Sequence, residues 1–132
     1  MSERLRLPFT IENLYNGLAQ VDGILLTSRD SITLEFQVKD SFIGRIKSGP
    51  KALHLPLKEI ESVRFRKGWF DASFYIRVFR MAAIKDMPSS QSGEIRLKVK
   101  RGDRETALRV ESQIALRLSE LRIDALDEDQ DF

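Results

Sequence analysis

The 132-residue chain contains no cysteine and a single histidine. A disulfide framework, a thiolate nucleophile and a cysteine-ligated metal site are therefore excluded, and His54 has no second histidine with which to seed a zinc centre. The absence of cysteine fits a reducing compartment, so a cytoplasmic setting is expected. No stretch approaches the roughly 18 uninterrupted apolar residues of a membrane span, and Met1-Ser2-Glu3-Arg4-Leu5-Arg6 opens without an apolar signal core. Neither G-x-S-x-G nor G-x-x-x-x-G-K-S/T occurs, which removes the common serine-nucleophile and phosphate-loop signatures. Glu59 and Glu61 share a strand face beside Lys58 and Arg64, as solvated charges do. We expect a soluble protein that is not an enzyme and has no cofactor, metal or small-molecule substrate.

What the chain does contain is alternation. In Glu94-Ile95-Arg96-Leu97-Lys98-Val99-Lys100 every second residue is apolar, the period of a strand with one buried face. Leu5, Leu7, Phe9 and Ile11 mark a first strand, which Pro8 assigns to a sheet edge. Residues 23–36, GILLTSRDSITLEF, read as a hairpin turning at Ser28-Arg29-Asp30, with alternation continuing to Val38. Further strands fall at Leu53–Leu57, with Pro56 again suggesting an edge, at Ile60–Arg66 and at Phe74–Val78. Residues 13–20, 40–50 and 87–93 read as connections, and Gly68-Trp69-Phe70-Asp71 as a turn.

After Arg101-Gly102, Asp103 stands at an N-cap position and opens the one long amphipathic helix, about 19 residues. At about 100° per residue, Ala107, Val110, Ile114, Leu118 and Leu121 gather on a face meant for the sheet, with Leu108 and Ala115 on its flank. Glu111 projects near the middle of that face, so either the helix rolls to free it or it meets a basic partner. Leu116 and Ile123 point the opposite way, toward solvent or another chain. The expected fold is mainly β with α+β character: about seven antiparallel strands in a curled sheet or open barrel, capped by one C-terminal helix. One domain would cover residues 1–123, and residues 124–132 would form an acidic, disordered tail.

The order of elements, together with GILLT, ITLEF and LHLPLKEIESV (residues 53–63), resembles the pleckstrin-homology-like superfold, and within it the GRAM-like and bacterial members. The resemblance implies a fold and, with it, a non-catalytic protein-interaction or self-assembly module whose partner is another protein or a second copy. Phosphoinositide-binding relatives carry clustered bases in the first hairpin. Here Arg29 sits beside Asp30, and Thr33, Glu35 and Gln37 face outward, which argues against that ligand.

The net charge of +2 conceals a polarity. Asp124, Asp127, Glu128, Asp129 and Asp131 leave residues 1–123 with 22 bases against 15 acids, and residues 61–101 alone hold ten bases and four acids. By strand alternation Arg64 and Arg66, then Tyr75, Arg77 and Phe79, then Arg96, Lys98 and Lys100 share outer faces. If the three strands are neighbours, they form a basic sheet surface able to bind nucleic acid or an acidic membrane, with the acidic tail as a possible internal competitor; the plainer alternative is a solvated face. Trp69 and Phe70 are candidate partner contacts, although the simpler expectation is that Trp69 folds back over one end of the barrel.

Overall fold

All seven expected strands form, in a computed structural model that describes residues 4–14, 17–40, 49–88 and 92–130. They are β1 (Arg6–Leu14), β2 (Ala19–Thr27), β3 (Ser31–Asp40), β4 (Lys51–Pro56), β5 (Ile60–Lys67), β6 (Ala72–Val78) and β7 (Glu94–Val99), followed by helix α1 (Arg104–Gln130). Every pairing is antiparallel, in one unclosed, curled sheet of order β4-β3-β2-β1-β7-β6-β5. The alternation read from the sequence sorts the side chains: Leu7, Leu25, Leu34, Leu55, Phe74, Ile76, Ile95 and Leu97 are buried in a single core. Gly23 lets β2 cross that core, because a Cβ there would come within 2.5 Å of the Phe9 ring and of the Glu35 carbonyl.

Pro8 does not place β1 at an edge. β1 lies at the centre of the sheet, and the residue is tolerated because β1 meets β7 at one register position, Thr10 opposite Lys98. Two residues on, at the level of Pro8, Lys100 leaves the sheet for a 3-10 turn, Arg101–Asp103, so no β7 carbonyl is waiting for the N–H that Pro8 lacks. β4 is an edge strand, and its Pro56 ends it before the 3-10 turn Leu57–Glu59. Between β6 and β7 an unanticipated 3-10 turn, Met81–Ile84, folds inward and buries Ile84 and, just after it, Met87.

The helix begins directly after Asp103, as expected, and differs from expectation at its far end and in its middle. It begins at Arg104, and Asp103 closes the 3-10 turn by donating its N–H to the Lys100 carbonyl. It continues through the acidic segment to Gln130, because 3.6-residue backbone hydrogen bonding propagates from a well-anchored first half. Ala107, Val110, Ile114 and Leu118 enter the core, but Leu121 is 40 % exposed, having passed the sheet's rim, and Leu108 and Ala115 are exposed too. Glu111 stays half-buried and meets the strand edge. Its Oε2 accepts the backbone N–H of Phe65 at 2.5 Å, on the side of β5 that has no neighbouring strand.

Two arginines extend that contact. Arg104 Nη2 donates to the Gly68 carbonyl at 3.3 Å, and Arg122 Nη2 donates to the Glu61 carbonyl. Positions 104, 111 and 122 thus meet positions 68, 65 and 61, so α1 runs antiparallel along the β5 edge. On its other side, Gln113 Nε2 reaches Thr27 Oγ1 at 3.3 Å, and the same hydroxyl accepts the Leu5 N–H at 2.8 Å. The helix therefore spans the sheet's opening and occupies the polar edge that an uncovered β5 would offer to another strand.

Candidate functional site

The strand register assembles the candidate basic surface, since β5, β6 and β7 are consecutive neighbours. Arg64, Tyr75 and Arg96 lie in one row across them, Arg66, Ser73 and Lys98 in the next, and Ser62, Arg77 and Glu94 in a third. In the first row the guanidinium carbons of Arg64 and Arg96 stand 4.7 and 5.9 Å from the Tyr75 ring centroid. An aromatic between two like charges offsets their repulsion through its quadrupole. Arg96 also donates its Nε to the Ser73 hydroxyl at 3.1 Å, which fixes the guanidinium over the sheet.

Two of the remaining cations are neutralised. Arg77 pairs with Glu94 at 3.3 Å; Lys98 pairs with Glu12 at 3.1 Å and with Asp71 at 3.4 Å. The Glu12 hydrogen bond holds the Lys98 ammonium above its ordinary range, against a smaller opposing effect of burial. Glu12 arrives from β1, 86 residues away in sequence. A shallow cavity of about 630 Å³ opens over these rows, lined by Arg77, Arg96 and Lys98 but equally by Glu12, Asp71 and Glu94. Its charge balances, whereas a polyanion site needs a cationic excess. Lys100 lies past the end of β7 beside Pro8 and Asp22, at a separate cavity of about 190 Å³. Phe79 follows β6 and is exposed. Among the described residues, Arg64, Arg66 and Arg96 form no ion pair with a carboxylate.

The acidic segment is not placed to compete for this face. Its residues 124–130 are built into α1, which packs against the core-facing side of the sheet and along β5.

The β5–β6 turn holds the strongest exposed apolar feature. Gly68 donates its N–H to the Asp71 carbonyl at 2.5 Å, and a Cβ at position 68 would collide with that same oxygen, so only glycine closes the turn. Trp69 and Phe70 are carried on its tip at 84 % and 82 % exposure, stacked edge-to-face on each other with centroids 6.3 Å apart. The fold-back expectation for Trp69 fails because the turn is too tight for the indole to reach the core. A second apolar surface lies on the outer face of α1, where Leu116, Ile123 and Leu126 are each more than half exposed. Leu126 sits among acids, which masks it in the composition, and its three-residue spacing from Ile123 is the signal that marks it.

His54 is exposed, with its Nδ1 3.3 Å from Thr33 Oγ1 on the neighbouring strand. Among the described residues no group of three or more His, Asp or Glu side chains could hold a metal ion, and no helix is long and apolar enough to cross a membrane. No protein-family model and no curated protein matches the chain.

Proposed function

We propose that the chain is a non-catalytic protein-interaction module of the pleckstrin-homology-like kind, acting in the cytoplasm, and that it grips a partner protein with the β5–β6 turn. The run of seven antiparallel strands followed by a C-terminal helix supports the fold kinship, and the absence of cysteine agrees with the compartment. The observation that carries the reading is the Trp69–Phe70 pair. Two adjacent aromatic rings are held in water by a turn that only glycine closes, beside a sheet on which Arg77 and Lys98 are paired with the chain's own acids. Tryptophan anchors of this kind dominate protein interfaces, and truncating one typically weakens binding about tenfold or more.

The test is affinity capture from source-cell lysate, followed by purification of the captured protein and titration against wild-type and Trp69→Ala/Phe70→Ala chains. A defined partner, bound stoichiometrically by the wild type and lost by the variant, is the expected result. A second reading has one observation in its favour, the Arg64–Tyr75–Arg96 row with no carboxylate partner among the described residues. It makes the sheet a binder of nucleic acid or an acidic lipid surface. Micromolar binding of either at physiological salt, abolished by Arg64→Glu/Arg96→Glu, would put that reading first.

A further inference from the structure

At about 100° per residue, Leu108, Leu116, Ile123 and Leu126 fall within an arc of about 80° on α1, with Ser112 and Ser119 between them. This arc is centred opposite the one formed by Ala107, Val110, Ile114 and Leu118. The helix therefore has two apolar faces, one sealed in the core and one in water: Leu108 is 38 % exposed and Leu126 60 %. A helix with a single layer of protein beneath it needs only one such face. From Ser119 to Asp127 every side chain is exposed, so the last turns are a helical extension with little tertiary support of their own.

Charge along the helix runs one way. Residues 104–117 contain three bases (Arg104, Arg109, Arg117) and two acids (Glu105, Glu111), a net of +1. Residues 118–130 contain one base (Arg122) and five acids (Glu120, Asp124, Asp127, Glu128, Asp129), a net of −4. Two such helices side by side in parallel would set acid against acid over their final turns. In antiparallel order the acidic half of each lies along the basic half of the other.

We infer that the outer face of α1 docks a second copy of this chain, the two helices pairing antiparallel about a two-fold axis near Arg117. The inference rests on the reading of the chain as an interaction module and adds a surface separate from the Trp69–Phe70 turn. The register follows from the arc. With residue numbers summing to about 235 at each level, Ile123 of one copy faces Ser112 of the other, Leu116 faces Ser119, and Leu126 reaches Leu108. Each large side chain in the central layers meets a small one, which lets the helices approach closely. A two-fold interface of this kind is self-complementary and closes at two copies.

The chain's lack of cysteine makes the test clean, because any thiol is an introduced one. Sedimentation equilibrium of the full chain should show a dimer at tens of micromolar. Leu116→Glu/Ile123→Glu should weaken it at least about tenfold while keeping the melting temperature of the dilute monomer, since both residues face away from the core. Ser112→Cys chains oxidised alone should form no disulfide, but mixed with ¹⁵N-labelled Ile123→Cys chains they should yield the mixed disulfide, identified by mass. A wild type that is monomeric to hundreds of micromolar, a dimer indifferent to the Leu116/Ile123 changes, or self-linking of Ser112→Cys would each overturn the inference. In all three cases capture of a partner through Trp69 and Phe70 is measured separately, so the interaction module stands or falls on its own result.

Discussion

Between Arg104 and Leu118, α1 buries four apolar side chains and uses Arg104 and Glu111 to engage the backbone of β5; from Ser119 to Asp127 it leaves every side chain exposed. The backbone conformation is the same throughout, so helical geometry alone says nothing about which residues hold the domain together. The first half is stabilised by burial and by an edge strand that needs hydrogen-bond partners. The second half is helical by propagation, tied to the sheet through the Arg122 hydrogen bond to the Glu61 carbonyl, and its outward apolar residues are available to another molecule.

The contrast is broken most sharply at Ile114, which is 2 % exposed. Ile114→Asp places an unpaired carboxylate in the core and should cost about 3–5 kcal/mol, most of the stability of a small domain. Far-UV circular dichroism and urea titration should find the variant unfolded or barely folded. Native melting would mean that the helix is not part of the core.

Glu111→Ala comes next. It leaves the Phe65 N–H without its acceptor at the rim of the core and should cost about 1–3 kcal/mol in urea denaturation. Glu111→Gln keeps an acceptor and should recover part of the loss. Equal losses for the two variants would show that the carboxylate's charge, and not its capping of the strand edge, is what matters.

Deleting residues 124–132 should change monomer stability by no more than about 0.5 kcal/mol, because no described side chain in that segment is buried. The same deletion removes Leu126 and most of the acidic half, so it should weaken the dimer. A large fall in monomer stability would place the second half of the helix in the same category as the first.

The smallest effect belongs to Lys98. Its folded-state pKa is raised above 10.5 by Glu12, so the stabilisation is fully present at neutral pH and is lost only as pH rises through the raised value. The pair is largely exposed, so the loss should be below about 1 kcal/mol and should vanish in Glu12→Gln. Comparing alkaline melting curves of the two proteins checks it.

Much of this architecture was legible in the residues. The two-residue period of Ile32-Leu34-Phe36-Val38 and of Ile95-Leu97-Val99 announced strands, and the period near 3.6 from Ala107 to Leu118 announced the helix, because side-chain direction is a local consequence of backbone geometry. The six candidate bases were less legible. Their shared face followed from alternation, but the pairing of Lys98 depended on Glu12, and nothing in the local pattern says that β1 will lie beside β7. Trp69 and Phe70 were visible as a pair, yet their exposure depended on how tightly Gly68 and Asp71 close the turn.

Glu111 shows where the division falls. Its place on the apolar arc of the helix was dictated by sequence spacing, as were the buried faces of the strands and the absence of thiol and phosphate-loop chemistry. What it binds was decided by tertiary structure, because the sheet does not close, β5 is left as an edge with an unpaired N–H, and only the packed helix brings a carboxylate to it. Periodicity is set by neighbours along the chain, whereas ion pairs, edge caps and exposed anchors are set by segments that meet only after the chain has folded.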